Sequence, residues 1–294
     1  MIFGITGNTT KSMIQGILPE VIAWMEERKI SYLVDRELLK LVQLPSSAKT
    51  VTMSELVQTC DIMLAFGGDG TILATARSIG ASGVPILGIN IGRLGFLAEV
   101  TIEDLYERLE EIMRQEYFIL DRMVLEANIS QGDRTQTFFA LNDVVIDRGG
   151  FSRVIKIEVF IGEEFLNNYL GDGIIIATPT GSTAYSLSAY GPILAPTVNC
   201  VIINPICPHS LGVRPVVIPD DSIIRIIPHI EGEMINVSID GQWSQKYARP
   251  AQIEIVIRKA DHTIRWIRHQ HRTFYDLLRA KLNWGADRRI EPNH

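Results

Sequence analysis

The sequence is short of cysteine, of positive charge and of long apolar runs, and each shortage narrows what the chain does. Its 294 residues hold three cysteines, Cys60, Cys200 and Cys207, with no C-x-x-C pair. An odd and scattered set argues against a disulfide framework and fits a reducing compartment, so a cytoplasmic protein is expected. Lys and Arg number 28 against 34 Asp and Glu, a formal net charge of −6. That balance argues against nucleic acid as a partner, because affinity for it rests on neutralising phosphates. No uninterrupted apolar stretch approaches the roughly 18 residues that span a bilayer, so no membrane partner is expected. The start, MIFGITGNTTKSM, lacks a basic patch followed by an apolar block, so a secretory leader is not expected either. Repeats, low-complexity tracts and Gly/Ser linkers are missing. So are two nucleotide signatures. Gly7 to Ser12 comes near a Walker A loop but lacks its second glycine, and Gly88 to Gly95 lacks G-x-G-x-x-G spacing.

What is present is apolar enough to fold: 46% of the residues are hydrophobic, and the length corresponds to about two domains. The first third alternates strands with helices. Ile2 to Thr6 and Ile62 to Phe66 have the apolar character of buried strands, as does Val84 to Ile89. Lys11 to Arg28 has helical spacing at Ile14, Ile17, Leu18, Val21, Ile22 and Met25. Helices are also expected over Ile72 to Ile79 and Thr101 to Gln115, the latter with Thr101 and Asp104 at capping-box positions. Such alternation implies an α/β domain with a parallel sheet. From Arg122 the helical period gives way to strands, including Val124 to Ile129, Thr137 to Asp147, Val154 to Ile161, Gly173 to Ala177, Ser222 to Ile227 and Ile235 to Ile239, with Gln252 to Ile257 and Thr263 to Arg268 beyond them. Pro and Gly clusters punctuate them, the pattern of an antiparallel β-sandwich. Phe274 to Trp284 turns helical again and is expected to pack back on the first domain. The expected division is therefore an α/β domain over 1–121, a β-sandwich over 122–268 and a tail helix over 269–294.

One motif carries chemistry. Gly67-Gly68-Asp69-Gly70-Thr71 stands where a buried strand hands over to a helix. Glycines there let the backbone approach a ligand, and the helix start aims free N–H groups at an anion, which suits phosphate. A carboxylate among phosphate-cradling glycines would repel the ligand. Asp69 therefore holds a cation, takes a proton from an attacking hydroxyl, or simply caps the helix while the glycines make a turn. Further polar segments accompany it. Leu141-Asn142-Asp143 pairs an amide with a carboxylate, and Gly171-Asp172-Gly173 sets an acid between glycines. Thr178 to Ser188, TPTGSTAYSLS, is dense in hydroxyls that could bond a polar ligand, and Asp240-Gly241-Gln242 closes the β region.

In order, GGDGT, GRLGFLAE (Gly92 to Glu99), Leu141-Asn142-Asp143, Gly171-Asp172-Gly173, Thr178 to Ser188, PICPHSL (Pro205 to Leu211) and Asp240-Gly241-Gln242 resemble the motifs of the ATP-dependent NAD kinases. The resemblance covers about Asp61 to Gln242. It implies a Rossmann-like α/β domain followed by a β domain, NAD as acceptor, ATP as phosphoryl donor, a divalent cation such as Mg2+, and a homodimer or homotetramer. By position it implies Asp69 as proton acceptor within the Gly67, Gly68, Gly70, Thr71 loop. Asn142, Asp143, Arg153 and Asp172 match NAD contacts. Thr183, Ala184, Tyr185, Ser186 and Ser188 match the stretch along the dinucleotide, and Gln242 a contact near its end. Lys11 falls where the family has a basic residue suited to ATP phosphate. Two positions depart from the pattern: Leu170, where some members have a basic or polar contact, and Tyr190, where the family usually has Gly. The resemblance assigns no protein-only metal site.

The lipid kinases and phosphofructokinase share the GGDG logic over the first domain alone. A lipid kinase should offer a long apolar cleft where this chain has hydroxyl- and amide-rich segments. With a net charge of −6, local cations must attract two polyanions, and Lys11, Arg77, Arg93, Arg153 and Arg214 are the candidates.

Overall fold

A computed structural model describes all residues except 93–94, 99, 151–153, 230–233, 249–251, 269–272 and 283–294. Arg93, Arg153, His269, His271 and Trp284 thus lie outside the described residues. The chain divides into two compact units. The first takes Met1–Ser78, Val84–Leu120 and the described residues from Arg265 on; the second takes Ile79–Gly83 and Asp121–Ile264. No helix among the described residues is long and apolar enough to cross a membrane.

The first unit is built on β1 (Ile2–Gly7), α1 (Ile14–Glu27), β2 (Ser31–Asp35), β3 (Thr50–Val51), α2 (Met53–Thr59), β4 (Ile62–Gly67), α3 (Asp69–Ile79), β5 (Ile86–Asn90), β6 (Val100–Thr101) and α4 (Leu105–Met113). The strands run parallel in the order β5-β4-β1-β2-β3, with β6 beside the end of β5. Both faces are covered, which is why β4 and β5 are buried at every position rather than alternately. On one face Ile5, Leu64, Phe66 and Ile89 share a core with Leu18, Ile22 and Met25 of α1 and Leu105, Leu109 and Ile112 of α4. Chain order proceeds outward from β1 through β2 and β3, then returns to the other side of β1 at β4. The sheet therefore reverses between β1 and β4, where open α/β sheets bind ligands at their carboxyl ends.

Two local readings shift. The helix after the glycines begins at Asp69 itself, three residues before Ile72. The expected Thr101 cap is spent elsewhere: Thr101 ends β6 and donates its hydroxyl to Asp104, and α4 starts only at Leu105.

The second unit is antiparallel. Its strands are β7 (Phe118–Gln131), β8 (Arg134–Ala140), β9 (Asp143–Asp147), β10 (Ile155–Ile161), β11 (Glu164–Gly171), β12 (Gly173–Ala177), β13 (Cys200–Ile206), β14 (Val216–Pro219), β15 (Ile224–His229), β16 (Met234–Ile239), β17 (Trp243–Ala248) and β18 (Glu254–Arg268). The short helix α5 (Tyr185–Ser188) follows β12. One layer orders β11-β10-β15-β18 with β7 and β8 beside it, the other β14-β13-β12-β9-β16-β17. Alternate residues from both layers, such as Ile157, Ile226 and Ile255 against Ile146, Ile174, Ile203 and Val237, fill one core, as a sandwich requires. The stretch Thr137 to Asp147, expected as one strand, is two: β8 and β9 lie in different layers and the chain crosses at Leu141–Asn142.

The chain end belongs with the first unit. Trp266 of β18 pairs parallel with Ile86, and α6 (Phe274–Leu282) buries Leu277 and Leu278 while the Lys281 ammonium stands 5.9 Å from the Phe96 ring centre.

Candidate active site

At the carboxyl end of β4 the sequence Gly67-Gly68 lets the chain turn directly into α3, and Asp69 occupies the first helical turn, half-buried. Its carboxylate is held at both oxygens: the N–H of Phe96 donates to Oδ2 at 2.9 Å and that of Leu97 to Oδ1 at 3.0 Å. Each oxygen keeps a second lone pair, so the group is oriented without being exhausted as an acceptor. The approach leaves no space on the facing loop, where a Cβ on Gly95 would fall 1.8 Å from Asp69 Oδ1. Thr71 folds its side chain back against Gly67, and Gly70 is exposed.

Lys11 reaches the same loop. A Cβ built on Gly92 would stand 2.9 Å from the Lys11 ammonium, and one on Gly68 4.0 Å from it. The loop that delivers it is fixed by the Asn8 N–H donating to Phe66 O at 2.9 Å and by Asn8 Oδ1 accepting from the N–H and hydroxyl of Thr10. The ends of β1, β4 and β5 thus bring together a cation, a glycine turn, an oriented carboxylate and the start of α3. That combination neutralises a phosphate and accepts a proton beside it. Arg77 and Arg214 do not share this arrangement. Arg77 is exposed in the last turn of α3, and Arg214 donates to the carbonyls of Leu211 and Val213.

In the second unit, Asn142 and Asp143 stand where the chain crosses between layers, and both are buried. Asn142 Oδ1 has no hydrogen-bond partner among the described residues, a costly condition for a buried acceptor and one that a ligand N–H or a water relieves. Burial, and then the neighbouring Asp240 carboxylate, push the Asp143 carboxyl up to about 7. Asp172 pairs with Arg148 at 3.3 Å. Tyr185 is 47% exposed at the start of α5. Burial of its hydroxyl raises its pKa, with smaller contributions in the same direction from Asp147, Cys207, Asp172 and Asp143. Ser188 and Gln242 are exposed, and Thr183 and Ala184 half-buried.

The hydroxyl-rich segment departs from expectation. Thr178, Ser182 and Ser186 are buried and bond within the fold rather than face outward. Thr178 donates to Leu141 O at 2.6 Å and accepts from the Gly181 N–H. Ser182 donates to Pro179 O and accepts from the Leu194 N–H. Ser186 accepts from the side-chain amide of Asn204 at 3.1 Å, which also donates to Ser186 O and Ala189 O. Gly181 is required by close approach, since a Cβ there would meet Asn142 O at 2.0 Å. The segment is therefore a scaffold that fixes the backbone around Tyr185 and Asn142. The organising residues Asn204 and Gly95 escaped sequence reasoning. Polar Asn204 inside the apolar β13 is the available signal for the first, and the second lies within GRLGFLAE (Gly92 to Glu99), where the resemblance marks the stretch but gives Gly95 no role.

Tyr190 carries a positive φ of 61° and is 94% exposed, a backbone state in which a glycine is unstrained. Leu170 is 43% exposed on β11. Among the described residues no group of three His, Cys, Asp or Glu side chains is placed to hold a metal ion.

The chain matches the family model described as the ATP-NAD kinase N-terminal domain over residues 3–117, and the C-terminal domain of the same description over residues 141–269. It is 40% identical over 273 residues to the NAD kinase of Trichlorobacter lovleyi, covering 92% of this chain and 94% of that protein. Against the NAD kinase of Moorella thermoacetica identity is 38% over 290 residues, covering 99% of this chain and 92% of the relative. Among solved structures it is similar to yeast NADH kinase complexed with NADH, with a TM-score of 0.87 and 25% identity over 100% of this chain and 90% of that one. An NAD kinase from Archaeoglobus fulgidus in complex with ATP has the same fold, with a TM-score of 0.73 at 23% identity, covering 96% and 98% of the two chains.

Proposed function

The chain belongs to the ATP-NAD kinase family, and on that premise we propose that it transfers the γ-phosphoryl group of ATP to the 2′-hydroxyl of the adenosine ribose of NAD, giving NADP and ADP. The observation that carries the reading is the Asp69 carboxylate, oriented by two backbone N–H groups within the glycine turn that also receives the Lys11 ammonium. A ribose hydroxyl is almost wholly protonated at neutral pH. A fixed carboxylate that accepts its proton as the O–P bond forms contributes about 10²- to 10⁴-fold. The remainder comes from in-line positioning and from neutralising charge on the phosphates, to which Lys11 contributes.

Asn142, Asp143, Asp172, Tyr185, Ser188 and Gln242 are assigned to the dinucleotide, with Thr183, Ala184 and Ser186 shaping the backbone around it. Arg153 joins them on family position alone. The unpartnered Asn142 Oδ1 supports the assignment. Among the described residues the donor set builds no protein-only metal cage, and it suits an ion carried on nucleotide phosphates with one or two carboxylates, the usual habit of Mg2+. Such an ion supplies charge neutralisation at the transferred phosphoryl. Three unpaired cysteines, two of them buried, support a reducing, cytoplasmic setting. A homodimer or homotetramer rests on the family resemblance, and light scattering of the eluting protein measures it.

The test is a coupled assay with purified protein, ATP, Mg2+ and NAD, repeated with polyphosphate and with NADH. Asp69→Asn is expected to keep NAD affinity within a few-fold and to lose about 10²-fold or more in kcat. Turnover near that of the parent would remove Asp69 from its role.

A further inference from the structure

Asp240 has been given no role in binding or catalysis above, yet its side chain accepts three backbone hydrogen bonds beside the dinucleotide residues. It follows β16 in a tight reversal to β17, with positive φ at both Asp240 (52°) and Gly241 (62°), and the Gln242 N–H returns to Ile239 O at 3.0 Å. That Asp-Gly turn matches the twist of a hairpin. It throws the carboxylate sideways, onto the crossing between β8 and β9. There Oδ2 accepts from the Leu141 N–H at 3.0 Å, and Oδ1 accepts from Asn142 at 2.7 Å and from Asp143 at 3.1 Å. In return the Asp240 N–H donates to Asp143 O at 2.9 Å.

Three successive N–H groups aimed at one point form a nest that would hold a free anion. Here the chain supplies the anion from a residue nearly a hundred positions away. Leu141 and Asn142 lie between β8 and β9, outside the strand ladders; their carbonyls accept from the Thr178 hydroxyl and N–H, and their N–H groups are left to the carboxylate. The carboxylate stands in for the missing ladder, and it fixes the backbone from which Asn142 and Asp143 project.

We propose that Asp240 is a positioning residue for NAD binding: its carboxylate, by closing on the N–H groups of Leu141, Asn142 and Asp143, holds the Asn142 amide and the Asp143 carboxyl in their ligand-ready orientation. This rests on the assignment of Asn142 and Asp143 to the dinucleotide, so the experiment tests both separately. Asp240→Ala removes all three acceptor contacts. Asp240→Asn keeps the shape but sets an NH2 group where an acceptor stood, so at most the two contacts on one oxygen survive.

Kinetics with NAD and ATP varied independently, and calorimetric NAD binding, are measured for both variants and for Asn142→Ala. Because preorganisation is lost while the contacts remain available, the NAD KM should rise about tenfold or more in Asp240→Ala and by less in Asp240→Asn. kcat at saturating NAD and the ATP KM should stay within about threefold. If Asn142→Ala leaves NAD affinity unchanged, the dinucleotide assignment fails. If Asn142→Ala weakens NAD but a folded Asp240→Ala does not, the positioning role fails. An equal fall in kcat and rise in both KM values would mark a general structural role and also overturn it. Should the alanine variant not fold, Asp240→Asn carries the same comparison, and an NAD KM equal to the parent's refutes the proposal.

Discussion

Replacing Gly95 with alanine tests the orientation of Asp69 without touching its chemistry. The added methyl would stand 1.8 Å from Oδ1, 2.5 Å from Cγ and 2.8 Å from Oδ2 of Asp69. Non-bonded carbon and oxygen settle near 3.5 Å, so the carboxylate or the loop must withdraw by about 1.7 Å. Either movement breaks at least one of the bonds from Phe96 and Leu97. A hydrogen bond to a charged group is worth about 1.5–3 kcal/mol, and less here because Asp69 is half-exposed. Displacements near 1 Å at a reacting group cost on the order of 10²-fold in rate, which corresponds to about 2.7 kcal/mol of barrier. Gly95→Ala should therefore lower kcat by about 10²-fold while the carboxylate itself remains. NAD affinity by calorimetry should stay within a few-fold of the parent. The assay is steady-state turnover with ATP, Mg2+ and NAD on protein whose melting is still cooperative. A kcat within about threefold of the parent would show that the catalytic step does not depend on the Phe96–Leu97 clamp, and the geometric basis for choosing Asp69 would fall with it.

Three further outcomes follow from the geometry. Asp143 is protonated in the fold up to about pH 7 while the unfolded chain ionises near 3.8; the stability this contributes is fully present below 3.8 and is lost as pH rises through 7, by at most about 4 kcal/mol. Asp143→Asn should therefore gain in melting temperature relative to the parent between pH 4 and pH 8, and a gap independent of pH would refute the assignment. Tyr190→Gly relieves a left-handed backbone and should stabilise the fold by up to about 1 kcal/mol, read as a raised denaturant midpoint; a lowered midpoint would mean that the exposed ring has a partner worth more than the strain. Lys11→Ala should raise the ATP KM about tenfold and leave NAD binding unchanged, since its ammonium lies over the glycine loop; an unaltered ATP KM would detach it from the phosphates.

The architecture was legible because its signals are local. Continuous apolar strands such as Ile62–Gly67, spaced helices such as Ile14–Glu27, and alternating strands such as Ile155–Ile161 announce their own faces, whereas the two strands expected over Gln252 to Ile257 and Thr263 to Arg268 are one, β18. The exceptions each have a partner remote in sequence or a rule that tertiary contacts overrode. The sequence places the helix after the glycines, from about Ile72. It starts at Asp69 because the first turn is anchored through the carboxylate to Phe96 and Leu97. Thr137 to Asp147 reads as one strand, and at its break the backbone bonds to two residues remote in sequence, Thr178 and Asp240. Cys200–Ile206 went unrecognised as a strand because Asn204 and Pro205 interrupt its apolar run. In the fold Pro205 sits opposite Ile174, while Asn204 tethers α5.

The same reasoning applies to the candidate site. Composition identified where polar chemistry gathers, since hydroxyls, acids and glycines are dense at Gly67–Thr71, Leu141–Asp143 and Thr178–Ser188. It could not say which polar atoms face a ligand, because that is fixed by which of them the fold consumes. Thr178, Ser182 and Ser186 are consumed, whereas Asn142 Oδ1 is left over. A buried acceptor without a partner is destabilising, as is a carboxyl held near neutrality by burial. A fold that carries both at one crossing, and spends Asp240 to hold that crossing still, bears a stability cost that a bound dinucleotide would offset.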